Sequence, residues 1–237
     1  MAKYKKSSVL IIGDTHLPFE LPGYLGFCAK IRDEYKCGTI VHIGDLVDNH
    51  AISFHSHDPD GYSPADEMAM VDKKLVNWFN EFPKVSLCRG NHDRLVDRQN
   101  KELGIPNRCL LPFRDIWNFP NKWEDKFEFI YNNVLYKHGT GYSGKYMYRT
   151  AAERSLMSTV TGHGHSAAGT SYIQTPTRQI FGMGVGCGVD NNKYAFSYGK
   201  DYPNKPVVAC GVVLDKGRMP LLIPMKRNEK TGENKSL

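Results

Sequence analysis

The sequence predicts a layered α/β fold. In the first half of the chain, short runs of β-branched residues alternate with amphipathic helical stretches, which is the pattern of helices packed on a sheet. Each of these strand-like runs ends close to glycine together with aspartate, asparagine or histidine. Further along, strand-like runs separated by glycine-rich turns predict a second, more antiparallel sheet.

The first elements follow from the spacing of apolar residues. Val9–Ile12 is a continuous apolar run typical of a buried strand, and residues 39–43 and Val85–Cys88 are the next two predicted strands. Between the first two strands, apolar residues recur at helical spacing from Tyr24 to Tyr35, which predicts a helix with one buried face.

The clearest helix lies between the second and third strands. Its apolar face is predicted to consist of Met68, Val71, Leu75, Trp78, Phe79 and Phe82. Ser63 is the expected N-cap, with Pro64 at the first helical position and Asp66 three residues after the cap. Pro83 is expected to end the helix.

The middle of the chain is less regular. Residues 105–128 are rich in Pro, Trp and Phe without clear periodicity and predict an irregular packed segment. Val134–Lys137 and Ser158–Thr161 predict two strands on either side of a helix within residues 145–157.

The last third supplies the predicted second sheet. Its strands are assigned to residues 179–185, 207–214 and 220–224. No repeat or linker-like tract precedes residue 227, so we expect a single domain over residues 1–226 and a polar, flexible tail over residues 227–237.

The formal net charge of +6 comes mainly from the ends of the chain. Three lysines before residue 7 and the tail from Lys226 together contribute +5, which leaves +1 for residues 7–225. Residues 7–225 are too close to neutral to have the overall charge of a nucleic-acid-binding protein. This total does not bear on local basic patches. No apolar run approaches the ~20 residues of a membrane span or the core of a signal peptide, so we expect a cytoplasmic protein without a membrane partner.

The six cysteines predict no site of their own. They form no C-x-x-C pair and have no regular spacing, which excludes zinc-finger and thioredoxin-type motifs. We expect most of them to be free, buried thiols, and no disulfide-linked partner.

Polar clusters follow the predicted strands. They are Asp14-Thr15-His16, Gly44-Asp45, Gly90-Asn91-His92-Asp93, His138-Gly139 and Gly162-His163-Gly164-His165. Ligands of open α/β sheets bind beyond the carboxyl ends of the strands, so we expect these clusters to converge on one rim.

The side chains on this rim form a donor set for metal ions. Two aspartates, one asparagine and four or five histidines, with no cysteine, suit divalent Mn first, with Fe, Zn or Ni as alternatives. Seven or more ligands exceed the need of one ion and fit two ions about 3.5–4 Å apart, bridged by one carboxylate. Such a pair lowers the pKa of a shared water and neutralises charge on a phosphoryl group, which predicts phosphoester hydrolysis.

The five motifs, D-x-H, G-D-x-x-D, G-N-H-D, H-G and G-H-x-H, resemble in their order those of the calcineurin-like metallophosphoesterase family. The match runs from Asp14 to His165, and five motifs in order are far more specific than any one of them. The resemblance implies a four-layer α/β/β/α sandwich of two mixed sheets flanked by helices. It also implies in-line attack by a hydroxide that bridges the two metal ions.

The resemblance implies a role for each motif residue. The implied ligands are Asp14, His16, Asp45 and His165 for the first ion and Asp45, Asn91, His138 and His163 for the second. His92 would bind the phosphate and protonate the leaving oxygen, and Asp48 would orient His92.

The chain departs from the family pattern at positions that distinguish the branches of the family. Protein Ser/Thr phosphatases carry an Arg directly after the position of Asp48, where this chain has Asn49. DNA-repair nucleases carry a His shortly after the bridging Asp, whereas here His50 comes two places after Asp48. In the last motif, Gly164 replaces the common Thr. Neither branch is matched cleanly, and the missing Arg disfavours a protein phosphatase.

Four residues outside the motifs are predicted to bind substrate: His50, Arg94, Tyr142 and Lys145. His50 lies in a polar loop over residues 49–65, which either is a solvated surface or overhangs the metal ions. Arg94 belongs to a basic cluster that is either a solvated helix face or a groove for a phosphate backbone. Tyr142 and Lys145 begin a basic, aromatic segment that either contacts nucleic acid or contributes Tyr146 and Met147 to the core.

The expected function is hydrolysis of a phosphodiester in DNA, RNA or a nucleotide. A phosphomonoesterase acting on phosphoproteins or small metabolites is the alternative. A catalytically silent module that binds metal and nucleic acid is a third, which an intact His92 and Asp48 disfavour.

Overall fold

The computed structural model describes residues 8–54, 60–193 and 203–226, in which eleven strands form two sheets. The strands are β1 (Val9–Ile12), β2 (Thr39–His42), β3 (Val85–Cys88), β4 (Trp123–Lys126), β5 (Glu128–Tyr131), β6 (Val134–Lys137), β7 (Ser158–Thr161), β8 (Gly169–Gln174), β9 (Gln179–Gly184), β10 (Ala209–Leu214) and β11 (Met219–Pro224). The helices are α1 (Tyr24–Glu34), α2 (Pro64–Glu81), α3 (Leu95–Glu102), α4 (Phe113–Ile116) and α5 (Met147–Ser155).

Both sheets are mixed. The first has the order β11-β10-β1-β2-β3-β4, with β1 to β4 parallel, β10 antiparallel to β1 and β11 antiparallel to β10. The second has the order β5-β6-β7-β9-β8, with parallel pairing of β6, β7 and β9 between antiparallel outer strands.

Two apolar cores hold four layers together. One core joins the first sheet to helices α1 and α2 through side chains such as Leu10, Phe27 and Trp78. The other lies between the sheets, where Ile11 of β1 belongs to the same cluster as Tyr136 of β6. Helix α5 packs against β7, β8 and β9 of the second sheet. The predicted α/β/β/α sandwich of two mixed sheets is therefore confirmed.

The predicted membership of the second sheet was wrong for two strands. The runs at 207–214 and 220–224 form β10 and β11, which complete the first sheet beside β1 rather than the second. The two runs predicted around residues 134 and 161 instead form the middle of the second sheet as β6 and β7. The spacing of apolar residues indicates that a segment is a strand. Which sheet it joins is decided by the strands it pairs with, and these can be far away in sequence.

Three strands, β4, β5 and β8, were missed, and two of them, β4 and β8, carry little strand signal in their sequences. The segment over residues 105–128, predicted to be irregular, contains helix α4 and strand β4, which pairs with β3 at the edge of the first sheet. Only Trp123 of β4 is buried, and the other three residues are charged. Strand β8 lies at the edge of the second sheet and is likewise half exposed.

Helix α2 begins as predicted, with one difference on its buried face. The Ser63 hydroxyl accepts the Asp66 backbone N–H at 3.2 Å, as expected of an N-cap. Met68, however, is 42% exposed, and Glu67 is buried in its place. Glu67 lies one helical turn before Val71, so the buried face begins at Glu67 and otherwise follows the prediction.

The burial of the cysteine side chains tests the expectation that most of them are buried thiols. Cys28, Cys88, Cys187 and Cys210 are buried, as predicted for most of the cysteines.

None of the described helices is both long and apolar enough to cross a membrane. His55, His57 and the predicted tail over residues 227–237 lie outside the described residues, and the single-domain boundary stays a prediction.

Candidate metal centre

The candidate centre lies where strands of both sheets end. Asp14, Asp45 and Asn91 follow β1, β2 and β3 of the first sheet by two or three residues. His138 directly follows β6 and His163 follows β7, so these two come from the second sheet. The predicted rim is therefore shared between the two sheets rather than built on one.

Three of the predicted ligands have left-handed backbone geometry. The φ angle is +48° at His16, +46° at Asp45 and +64° at His163, a region that L-residues other than glycine occupy at a cost. Such strain persists only where surrounding structure imposes it, and it concentrates at functional sites. The tight turns after β1, β2 and β7 thereby aim these side chains back over the strand ends.

The first ligand group joins Asp14, His16 and His165. The two histidine Nε2 atoms lie 3.1 Å apart, and Asp14 Oδ2 lies 3.3 Å from His165 Nε2. The Nδ1 of His16 donates to Asp48 Oδ1 at 2.5 Å, which leaves the lone pair of Nε2 directed at the centre.

The second group joins Asp45, His138 and His163, with Asn91 beside them. Asp45 Oδ2 lies 3.1 Å from His138 Nε2, and Asn91 Oδ1 lies 3.0 Å from the same nitrogen. The ring centroids of His138 and His163 are 5.0 Å apart. His138 Nδ1 donates to the Ile43 carbonyl oxygen at 3.2 Å, so Nε2 is again the atom that faces the centre.

Asp45 lies between the two groups. Its Oδ2 is 3.6 Å from His16 Nε2 of the first group and 3.1 Å from His138 Nε2 of the second. Its Oδ1 accepts the His92 backbone N–H at 2.8 Å. The structure thus brings all seven predicted ligands together with Asp45 in the middle, and their binding of metal stays a prediction.

Two glycines allow the loops to approach the carboxylates. A Cβ atom at Gly90 would collide with Asp45 Oδ1, and one at Gly162 would collide with Asp14 Oδ1. The first glycines of the G-N-H-D and G-H-x-H motifs are therefore required by close packing against the aspartates, since neither has a positive φ angle.

The electrostatics of the cluster keep its carboxylates ionised. Burial opposes ionisation of Asp45, but His138 and His92 outweigh burial and hold the pKa of Asp45 well below its usual range. The pKa of Asp14 is lowered in the same way, with His138 as the largest favourable contribution. Burial, reinforced by His92, lowers the pKa of His16. The His16 ring is therefore neutral and able to coordinate a metal ion.

A pair of divalent cations fits this arrangement. Asp14 Oδ1 is fully buried and has no hydrogen-bond partner among the described residues, which is costly for a carboxylate unless a cation binds it. The close approach of the His16 and His165 Nε2 atoms has the same explanation, because a shared ion would bind both lone pairs. The oxygen and nitrogen donors suit divalent transition metals.

His92 and Asp48 flank the candidate ligands. His92 Nδ1 lies 2.7 Å from the Asp48 backbone oxygen and 3.3 Å from Asp48 Oδ1, and Asn49 donates to the His92 carbonyl oxygen. Asp48 therefore contacts both His92 and His16, and its role in orienting His92 stays a prediction. Burial alone would lower the pKa of His92, but Asp45 and Asp48 raise it to about 10.

Sequence reasoning assigned no role to two buried acids beside the centre, Asp93 and Glu67. Asp93 accepts the backbone N–H groups of Gly90 and Val47, and so ties the loop after β3 to the loop after β2. Glu67 of α2 accepts the N–H groups of His50 and Ala51 at 2.8 and 2.7 Å. The signal for Glu67 was its place one turn before Val71 on the buried face.

Glu67 predicts a pH dependence of stability. Burial raises its pKa to about 7 from a reference value of 4.5, with the two N–H groups opposing and Asp48 reinforcing the shift. Below pH 4.5 the carboxyl is protonated in both states, and between pH 4.5 and 7 only the folded protein keeps the proton. Stability from this group is thus lost as pH rises through 7, by about 3 kcal/mol.

The test compares Glu67→Gln with the wild type in urea unfolding from pH 4.5 to 8, with metal chelated. The free energy of unfolding of the wild type is expected to fall by about 3 kcal/mol more than that of the variant. Glu34→Gln, at an exposed position of α1, is the matched control. Parallel profiles for wild type and Glu67→Gln would contradict the assignment.

The four predicted substrate-binding residues do not share one pocket. His50 lies near the centre, with its Nδ1 3.9 Å from Asp48 Oδ2. Arg94 lines a cavity of about 1150 Å³ that also includes Asn91. Tyr142 and Lys145 line a second cavity of about 510 Å³ together with His163. Of the residues suggested as core, Met147 is buried and Tyr146 is exposed.

Comparison with known proteins gives one family match and several solved structures that are weakly similar. A family model described as calcineurin-like phosphoesterase matches residues 7–177. No curated protein sequence matches the chain. Among solved structures, vacuolar protein sorting 29 from Cryptosporidium parvum is 13% identical, with 94% of this chain and 92% of that chain covered and a TM-score of 0.48.

Two further solved structures are similar over most of the chain. The phosphoesterase YfcE from E. coli is 12% identical, with 87% of each chain covered and a TM-score of 0.41. The nuclease MPE from Pseudomonas putida is 15% identical, with 91% of this chain and 86% of that chain covered and a TM-score of 0.35.

Proposed function

Since the chain belongs to the calcineurin-like phosphoesterase family, we propose that it hydrolyses phosphodiester bonds in nucleic acid or nucleotides. The observation that carries this proposal is the position of Asp45. Its buried carboxylate lies between two groups of potential ligands, 3.6 Å from His16 and 3.1 Å from His138. A central carboxylate with three potential donors on either side suits a pair of ions about 3.5–4 Å apart.

The chain offers a separate set of donors for each ion. Asp14, His16 and His165 would hold one ion and Asn91, His138 and His163 the other, with Asp45 shared. We favour Mn, with Fe, Zn or Ni as alternatives, because the donors are oxygen and imidazole nitrogen without thiolate. Once bound, the two ions would polarise the phosphoryl group and lower the pKa of a water molecule.

His92 is the proposed acid. Its Nδ1–H donates to the Asp48 carbonyl oxygen, so Nε2 is the nitrogen available to substrate, and the side chain is 23% exposed. As the bond from phosphorus to the leaving oxygen breaks, Nε2 would give its proton to that oxygen. The high pKa of His92 keeps this proton in place at neutral pH.

A diester is favoured over a monoester by charge. A phosphomonoester carries up to two negative charges and a diester only one, so a monoesterase gains more from an additional cation at the phosphate. Asn49 occupies the position after Asp48 where protein phosphatases of the family carry Arg, and its amide is engaged with the His92 carbonyl oxygen. Position 49 therefore supplies no cation in addition to His92.

A substrate panel tests the proposal. Turnover of bis-p-nitrophenyl phosphate with Mn is expected to exceed that of mono-p-nitrophenyl phosphate, and single- or double-stranded DNA or RNA is expected to be cleaved. Chelation should abolish both activities, and the metal content of the purified protein should reach two ions per chain. Monoester preference without cleavage of nucleic acid, or binding without turnover of any ester, would overturn the proposal.

A further inference from the structure

A wide groove opens beside the candidate metal centre. It has a volume of about 1150 Å³ and reaches the centre at Asn91, which contacts His138, and at Thr140. Its walls come from α3, from the segment over residues 104–114 and from the ends of β4. Pockets for small ligands typically measure about 300–1000 Å³, so this groove exceeds the size of a single-nucleotide pocket.

The groove is positively charged. Its charged lining residues are the basic Arg89, Arg94, Arg98, Lys101 and Arg114 and the acidic Asp97 and Asp125. Arg89 lies 3.1 Å from Asp97 and 4.0 Å from Asp125, so the two acids are engaged with this one arginine. The other four cations have no ion-pair partner in the part of the chain that the structure describes.

Three of these cations form a line. Arg94, Arg98 and Lys101 recur at i, i+4 and i+7 along α3 and its N-cap, so they lie on one helix face. At a rise of 1.5 Å per residue they extend over about 10 Å. This is the geometry of a strip that follows a phosphate backbone rather than a pocket for one phosphate.

Apolar surface is interleaved with the charge. The Arg94 guanidinium lies 5.1 Å from the ring centroid of Phe127, and that of Arg98 lies 4.9 Å from the centroid of Phe54. Phe127 is 59% exposed and Leu111, on the same groove, is 67% exposed. Exposed rings among arginines provide platforms on which unpaired bases stack while the guanidinium edges contact phosphates.

We propose that this groove binds a single-stranded polynucleotide and leads it to the metal centre. The phosphates would lie along Arg94, Arg98, Lys101 and Arg114, and bases would contact Phe127 and Leu111. This inference rests on the proposed function, since it names the form of nucleic acid that the centre would cleave. A duplex is disfavoured because its bases are stacked inside and cannot reach Phe127.

Salt-dependent binding of a labelled oligonucleotide tests the charged part of the groove. The probe is a phosphorothioate single strand of about 12 nucleotides, which resists cleavage, added to the metal-loaded full chain. With four phosphate contacts, the slope of log K against log salt is expected to be about −3, and Arg98→Gln and Arg114→Gln should each reduce its size by about 0.7. Lys84→Gln, at the amino end of β3 and so far from the carboxyl-end rim, should leave the slope unchanged.

Two further variants distinguish the loss of charge from the loss of base stacking and from a loss of folding. Phe127→Ala is expected to weaken binding at least about fivefold without changing the salt slope, because it removes a base platform and no charge. Arg98→Lys should recover most of the slope lost in Arg98→Gln, which a merely destabilised protein would not do.

The outcomes distinguish a failure of the inference about the groove from a failure of the proposed function. If the wild type hydrolyses bis-p-nitrophenyl phosphate but the groove variants bind the strand normally, the inference fails and the proposed function survives. If binding depends on the groove but no diester is cleaved, the proposed function fails instead. Tighter binding of the matching duplex, or equal competition by an acidic peptide, would also overturn the inference.

Discussion

The Asp45→Asn variant is expected to lose metal and at least about 10³-fold of the proposed phosphodiesterase activity. Asparagine has the size of aspartate and keeps an oxygen for the His92 N–H, so the loops around it should stay in place. What it removes is the negative charge that lies between His16 and His138. Without that charge, neither ion retains its shared ligand.

Metal content by mass spectrometry and turnover of bis-p-nitrophenyl phosphate are the two measurements. Asp72→Asn makes the same chemical change at an exposed position of α2 and should leave both unaltered. A variant at Asp45 that still holds two ions per chain and turns over substrate at the wild-type rate would refute a bridging role.

The His92→Asn variant is expected to lose activity according to the leaving group. An oxygen that leaves from ribose needs a proton, so cleavage of oligonucleotides should fall by about 10²- to 10⁴-fold. The p-nitrophenolate anion is stable without a proton, so hydrolysis of bis-p-nitrophenyl phosphate should fall far less. Equal losses on both substrates would mean that His92 does not act as the acid.

The same residue predicts the alkaline limb of the pH profile. The pKa of His92 is raised to about 10 by Asp45 and Asp48, and bound cations beside Asp45 would bring it down again. Oligonucleotide cleavage is therefore expected to be fully present below this pKa and to decline as pH rises through it, at a pH below about 10. His92→Asn should lack this decline, and a decline that persists in the variant would assign it to another group.

The candidate centre could be predicted from the sequence because its information is local. Asp14, Asp45, Asn91, His138 and His163 each lie within three residues of a strand end, so finding the strands located the side chains. The convergence of parallel strand ends then follows from general sheet geometry.

What could not be predicted depends on partners distant in sequence. The placement of β10 beside β1 pairs Ile11 with Gly211, and no pattern within either segment encodes this pairing. The role of Glu67 depends on the N–H groups of His50 and Ala51 across a loop. The charged strand β4 is held by its pairing with β3 and by the buried Trp123, and its remaining residues do not read as a strand.

The position of β1 has a consequence for the order in which the molecule forms. Asp14 follows β1, its backbone oxygen accepts the Gly188 N–H at 2.7 Å, and the neighbouring Gly13 N–H donates to Tyr24, whose hydroxyl donates to Ala209. The first predicted ligand in the chain is therefore held in place by residues far along the sequence, Gly188 and Ala209. During synthesis β1 stays an open sheet edge until β10 emerges, and pairing over so long a separation is slow. The candidate metal centre therefore cannot be complete until the roughly 200 residues that separate β1 from β10 have been synthesised.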